Sequence, residues 1–235
     1  MTTVEKIYLS SWWERAKTYP DRHFPKESGL MLSDNLLSVL KNSERIFKSE
    51  PDNDFYEVLY VYLLDTGFDL YRSKEILKVV ALLHDIGKPE DDKEKEIEHP
   101  IKKTLVKKRH PVLGVCSAIE ILDGQSDFTD NEKQVIFNLI DEHDTPFSWF
   151  RQFEKSKAIP EFKSWKKLDN KIAGDRNDSF GINMLALFKI ADIDGHESIA
   201  DLIWFFVQLN EKYLNQLGKP IPLPIEKDLI EKTYD

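Results

Sequence analysis

The sequence predicts an all-α fold, a helical bundle carrying an aromatic-rich insertion. Three observations predict it. Apolar residues recur at the 3.6-residue helical period through nearly every segment. Sustained apolar-polar alternation, the mark of half-buried strands, is hard to find. The breaks between periodic segments hold the Ser, Asp, Gly and Pro of helix caps and stops.

The first clear helix covers about residues 33–47, with Ser33 as N-cap and Leu36, Leu37, Val39, Leu40 and Ile46 as apolar positions. Its neighbour covers about residues 54–64. Ser73 is the next expected N-cap; Ile76, Leu77, Val79, Val80, Leu82 and Leu83 follow it in an unusually apolar helix that reaches His84-Asp85 and is stopped by Gly87 and Pro89. Residues 91–109 are dense in Lys and Glu and lack an apolar stripe, which predicts a solvated, irregular loop suited to a mobile flap. Helical patterning resumes over about residues 111–122, 130–143, 179–193 and 198–217, and residues 220–224 read as a connection into a tail. Residues 145–178, with Phe147, Trp149, Phe150, Phe153, Phe162 and Trp165, form the insertion. Its rings either shape a pocket, where they would stack on a base, or join the core.

At 235 residues the chain is long enough to bury a core unaided, which predicts one domain with terminal embellishments, its core at about residues 32–197 and a C-terminal helix and tail at 198–235. The longest nearly uncharged apolar runs, residues 79–83 and 202–207, fall far short of the roughly 20 residues that span a bilayer. Residues 1–8 hold Glu5 and Lys6 without the pattern of an export signal, so a cytoplasmic protein is expected. The single cysteine, Cys116, excludes a disulfide framework and Cys-rich metal sites, leaving nitrogen and oxygen ligands for any metal. A formal charge of −9 argues against broad attraction to nucleic acid, while a local basic patch remains able to hold one phosphorylated end.

His84 and Asp85, adjacent at the end of an apolar helix, offer the imidazole nitrogen and carboxylate oxygen that suit one divalent cation. His110 precedes one helix and His143 ends another. Asp192 sits late in a strongly apolar helix, where a carboxylate is costly unless paired or metal-bound. Taken singly, the two histidines read equally as helix-end caps and Asp192 as a hydrogen-bonded core carboxylate.

Together these residues carry a resemblance. The run Ala81-Leu82-Leu83-His84-Asp85-Ile86-Gly87-Lys88-Pro89 resembles the signature of the HD-domain metal-dependent phosphohydrolases, and Phe188-Lys189-Ile190-Ala191-Asp192 resembles the run bearing that family's final aspartate. Arg109-His110-Pro111-Val112-Leu113-Gly114 and Leu139-Ile140-Asp141-Glu142-His143 are similar to the two intermediate histidine blocks of members with a fuller ligand set. The resemblance covers roughly residues 32–197, with the insertion outside it. One departure is clear: in Asn35-Leu36-Leu37-Ser38-Val39-Leu40, Asn35 stands where the family usually has its first histidine. An amide oxygen is a weaker ligand than imidazole for a transition metal. A natural variant, a decayed site and a deliberate replacement all account for Asn35, and His23, flanked by Pro20 and Pro25, lacks the helical context of a substitute.

The resemblance implies a first divalent cation held by His84, Asp85 and Asp192 with Asn35 at the vacant histidine position. It implies a second, bridged by Asp85 and held by His110 and His143. Mn, Ni, Co, Fe, Zn or Mg would serve, and in members with a reduced ligand set only the first site is filled. Asp85 and Lys88 would be the catalytic pair, Lys88 reaching a phosphate oxygen, though on spacing alone Lys88 reads equally as a solvated lysine. Lys108 and Arg109, in a basic cluster with Lys102, Lys103 and Lys107, would help bind a phosphorylated substrate or simply face water. Asp144, Asp194, His196 and Glu197 would orient ligands or move protons. The expected activity is hydrolysis of a phosphate ester on a nucleotide or RNA end, such as a 2′,3′-cyclic or terminal phosphate, because the His84 and His110 blocks are similar to the HD domains of tRNA nucleotidyltransferases and RNA-end-healing enzymes. The alternatives are a nucleoside mono- or triphosphate hydrolase, a non-catalytic nucleotide-binding module with a decayed site, and a di-iron oxygenase. Oligomeric state is not written in the chain.

Overall fold

A computed structural model describes residues 1–21, 28–50, 54–174, 179–192 and 199–223. Among them are eleven α-helices: α1 (Thr3–Tyr8), α2 (Ser11–Ala16), α3 (Leu32–Ile46), α4 (Asp54–Asp65), α5 (Leu70–Leu83), α6 (His110–Leu122), α7 (Asp130–Glu142), α8 (Thr145–Ser156), α9 (Phe162–Ala173), α10 (Phe180–Ala191) and α11 (Ala200–Lys212). The architecture is all-α, as the periodicity predicts, with one two-stranded hairpin, β1 (Asp92–Glu98) and β2 (Leu105–Lys108), between α5 and α6.

The apolar C-terminal half of α5 and nearly all of α10 lie at the centre. In α5, Ile76, Leu77 and every residue from Val79 to Leu83 are buried, and α10 is buried from Gly181 to Ala191. A helix apolar all round has no face for water. Accordingly α5 packs against α3, α7 and α10, while α10 also packs on α9. Each fully buried Leu, Ile or Phe side chain contributes about 1.5–3 kcal/mol.

Several boundaries depart from the sequence reading for local reasons. Ser33 is not an N-cap: α3 begins one residue earlier, and the Met31 N–H donates to Asp34 Oδ2 at 2.8 Å. Ser73 lies inside α5, which Asp69 caps by accepting the Arg72 N–H at 2.9 Å. Residues 91–109 are a hairpin rather than a loop. Its strands are held by backbone pairing and cross-strand charge, including Lys107 Nζ to Glu96 at 3.2 Å, with little apolar burial to reveal them. The aromatic segment forms α8 and α9. In α9, Trp165, Leu168 and Ile172 are buried against the rest of the core, while Trp149 of α8 meets Trp165 edge-on at 4.7 Å.

Two glycines set how closely α6 approaches the end of α5. A Cβ at Gly114 would lie 2.8 Å from both Leu83 O and Ile140 Cγ2, and one at Gly87 would lie 2.8 Å from His110 O. Gly87 has φ −81, so it is required for proximity and not for a left-handed helix stop; α5 already ends at Leu83 with His84 as C-cap. That proximity brings His110 to Asp85.

Candidate metal centre

The candidate ligands sit at helix ends. His84 and Asp85 follow α5, His110 opens α6, His143 closes α7 and Asp192 closes α10. The apolar helices meet in the core, so their ends deliver these polar groups to one place. His84 is fully buried, and Asp85 and His143 nearly so.

Each histidine has Nδ1 tied back. His84 Nδ1 lies 3.0 Å from Ala81 O, His143 Nδ1 2.7 Å from Ile140 O, and His110 Nδ1 3.2 Å from Asp91 Oδ2. A carbonyl or carboxylate oxygen only accepts, so Nδ1 carries the hydrogen in all three and Nε2 is turned toward the centre. A hydrogen bond from the second ring nitrogen is the usual support of a metal-binding histidine.

Asp85 is the hub. Its Oδ2 lies 3.3 Å from His84 Nε2 and 2.5 Å from Lys88 Nζ, and its Oδ1 lies 3.3 Å from His110 Nε2 and 3.6 Å from His143 Nε2. His84 Nε2 is also 3.3 Å from Asp192 Oδ1, whose other oxygen meets Lys189 Nζ at 2.6 Å. Two buried atoms, His84 Nε2 and Asp85 Oδ1, make no aligned hydrogen bond. Asp85, His110 and His143 each offer a ligand atom, all within 4.8 Å of one another, so this trio is able to hold a metal ion.

The electrostatics agree with the geometry. Burial would lower the His84 pKa, but Asp85 and Asp192 outweigh it and raise the pKa to about 10. Burial likewise opposes, and Asp144 and Asp85 reverse, the shift of His110, which is raised. Burial would raise the Asp85 carboxyl, yet Lys88 and His84 hold it well below the ordinary range. Without a metal ion the cluster attracts protons to His84 and His110, the behaviour of a site built for positive charge. The donors fit a divalent cation: imidazole nitrogens, carboxylate oxygens and orphaned buried atoms aimed inward.

Asn35 is buried on α3, which packs on α5 and α10, and its Oδ1 has no hydrogen-bond partner among the described residues. Lys88 lies at the cluster and, with Tyr19, Pro89, Asp91, Asp92, Lys93 and His110, lines an opening of about 470 Å³. Lys108 pairs with Glu90 at 3.5 Å and stands opposite Asp92 in the hairpin, and Arg109 is exposed at the N-cap of α6. Lys102, Lys103 and Lys107 pair with Asp141, Glu98 and Glu96. His23, Asp194, His196 and Glu197 lie outside the described residues.

Sequence reasoning missed Asp91, the partner of His110, and His99. His99 is buried at the hairpin end with Nε2 3.0 Å from Asp141 Oδ1, fastening the hairpin to the helix that carries His143. A histidine amid charged, non-periodic sequence gives no signal of burial.

No helix among the described residues is long and apolar enough to cross a membrane. Neither a curated protein nor a solved structure matches the chain. A sequence model of the HD domain matches residues 34–172, more than half of the chain, taking in Asn35, His84, Asp85, His110 and His143 and ending before Asp192. The chain therefore belongs to the HD domain family, whose members are generally metal-dependent hydrolases.

Proposed function

We propose that this chain hydrolyses a phosphate ester on a nucleotide or RNA end at a divalent-metal centre organised by Asp85. The observation that carries the reading is the convergence on Asp85 of three histidines, each presenting Nε2, with Lys88 at the opening. His84, Asp85 and Asp192, with Asn35 as an amide-oxygen ligand, would hold one cation, and Asp85, His110 and His143 a second. The chemistry such cations supply when bound is a water acidified toward neutrality and a counter-charge for phosphoryl oxygens. Asp85 orients both sides of the site through its two oxygens. Lys88 lies at the mouth and meets incoming phosphate, exchanging its contact with Asp85 for one with a phosphoryl oxygen. The tied Nδ1 atoms keep the rings from turning, so little reorganisation accompanies binding.

One observation favours the second reading, a nucleoside mono- or triphosphate hydrolase. Lys102, Lys103, Lys107 and Lys108 are matched to carboxylates, which leaves little free positive charge on the hairpin for a long polyanion. The opening suits a small phosphorylated molecule or a chain end. Phosphate release from a panel of nucleotides and 2′,3′-cyclic, 2′- and 3′-phosphate-ended oligoribonucleotides, with Mn, Ni, Co and Mg supplied separately, tests both readings. Turnover abolished in Asp85→Asn supports hydrolysis. Nucleotide binding without turnover, in this chain and in Asn35→His alike, would favour a non-catalytic module.

A further inference from the structure

We infer that the opening beside the metal centre seats a nucleotide bearing a second phosphate next to the one removed, with Tyr19 as the wall on which its base stacks and Lys93 as the contact of that second phosphate. The inference rests on the reading of the chain as a nucleotide phosphohydrolase and names the residues that would recognise the rest of the substrate.

At about 470 Å³ the opening has the size of a small-molecule site. It joins the metal centre through Lys88 and His110, and its other walls come from two separate parts of the chain. Tyr19 belongs to the N-terminal arm, ahead of residue 34, where the match to the HD domain begins. Asp92 and Lys93 open β1 of the hairpin.

The arm is held firmly at the mouth. Trp12 Nε1 donates to Glu120 of α6 at 3.0 Å, and Arg15 pairs at 3.1 Å with Glu90, close behind Lys88. The backbone around Tyr19 is fastened to the start of α3: the Leu32 N–H donates to Tyr19 O at 2.8 Å and the Asp21 N–H to Leu30 O at 3.1 Å. Tyr19 and Pro89 supply the apolar surface of the opening. A ring fixed in this way loses little freedom on binding, and it stacks on a base of any identity.

The carboxylates of the opening are already engaged. Asp91 Oδ2 accepts from His110 Nδ1 at 3.2 Å, while Asp92 holds Lys95 at 3.0 Å and the Glu94 N–H at 3.1 Å. Lys93 is exposed and enters no ion pair among the described residues, unlike Lys102, Lys103, Lys107 and Lys108. What the opening offers a ligand is therefore positive charge, from Lys88 against Asp85 and from Lys93 at the rim. A phosphoryl group at Lys88 leaves Lys93 for a neighbouring phosphate and Tyr19 for the base.

The test is equilibrium dialysis of the Mn(II)-supplied chain and its Tyr19→Leu, Tyr19→Phe and Lys93→Gln variants, with chromatography to verify that each probe stays intact and thermal melting to verify the fold. The probes are inorganic phosphate, adenosine 5′-monophosphate, adenosine 5′-(α,β-methylene)diphosphate and adenosine 3′,5′-bisphosphate. Tyr19→Leu, which keeps apolar bulk without a ring, should weaken every adenosine probe by about 10-fold and leave inorganic phosphate unmoved; Tyr19→Phe should bind as the parent does. Lys93→Gln should weaken the doubly phosphorylated probes by about 3-fold, more at low ionic strength, and spare the monophosphate. Tighter binding of the methylene diphosphate points to a nucleoside polyphosphate, and tighter binding of the bisphosphate to an RNA end. Unchanged nucleotide affinity in Tyr19→Leu, or an equal fall for inorganic phosphate, would overturn the stacking wall, and unchanged affinity for both doubly phosphorylated probes in Lys93→Gln would overturn the second contact. A parent chain that prefers no nucleotide to inorganic phosphate, yet releases phosphate from an ester, would overturn the nucleotide seat and leave hydrolysis standing; one that shows neither preference nor release would overturn both.

Discussion

On the Oδ2 side of Asp85 the neighbours come from the ends of α5 and α10 and include Lys88; on the Oδ1 side they come from the start of α6 and the end of α7 and include two histidines. Lysines already occupy carboxylate oxygens on the first side, Lys88 at Asp85 and Lys189 at Asp192. On the proposed assignment Asn35 would complete that side with an amide oxygen, a weaker ligand than imidazole for a transition metal. On the second side no lysine meets the Asp85 oxygen, and the rings of His110 and His143 face it instead. The contrast teaches that burial alone does not make a cation site: the carboxylates of the more buried side already carry lysine counter-charge that an ion would have to displace, so the Oδ1 side should bind the tighter ion.

The largest expected effect treats the two sides together. Asp85→Asn removes the carboxylate they share and should weaken cation binding and any turnover by well over the roughly 100-fold that follows loss of a mere supporting group. Dialysis and phosphate release would measure it, and binding unchanged on either side would break the shared-hub account. Next, Gly114→Ala drives a methyl toward Leu83 O and Ile140 Cγ2. Moving α6 off α5 should destabilise the fold by about 1–3 kcal/mol. Denaturant melts and metal titration together should also show the ion on the His110 side weakened more than the ion on the His84 side.

Asn35→His sharpens the contrast from the other direction. Imidazole in place of the amide should tighten Ni, Co or Zn on the His84 side by about 10-fold, following the preference of those metals for nitrogen ligands, with the His110 side unmoved. Titration of both variants would reveal equal changes on both sides if the contrast is false.

Binding should also depend on pH with a fixed sign. His84 is raised to about 10 and His110 is raised, each by carboxylates that outweigh burial. A cation must displace those protons, so affinity rises with pH up to about 10 on the His84 side. Calorimetry in buffers of different ionisation heat would count the protons released, and zero release would contradict the assignment. The smallest effect lies outside the centre. Arg72 pairs with Glu132, and its hydrogen bond, opposed by burial, lowers the Glu132 pKa to about 2. The folded pKa is below the unfolded one, so this stabilisation is present above about pH 4.5 and is lost as pH falls toward 2. The pair is part-buried at the surface and still screened by water, so it is worth about 1 kcal/mol or less. Acid melts of Glu132→Gln would show whether the pH dependence shrinks accordingly.

What was legible in the sequence follows the same division. The apolar runs of α5 and α10 announce themselves by composition, and the chain brings His84, Asp85, His110, His143 and Asp192 together where helix ends meet. The hairpin was not legible, since Lys and Glu facing each other across strands leave no apolar alternation. His99 and Asp91 were hidden because their partners, Asp141 and His110, are joined to them only by the folded chain. The N-caps at Ser33 and Ser73 failed because nearby Asp34 and Asp69 accept the terminal N–H groups instead. Gly87 read as a stop signal, whereas its lack of a side chain matters for letting α6 come close.

The central claim is that Asp85 organises a divalent-cation centre. Calorimetric titration of the metal-free chain and of folded Asp85→Asn with Mn(II) at neutral pH tests it most directly. The account predicts saturable binding by the parent chain and none detectable in the variant. Equal binding by the two, or no binding by the parent, would contradict it.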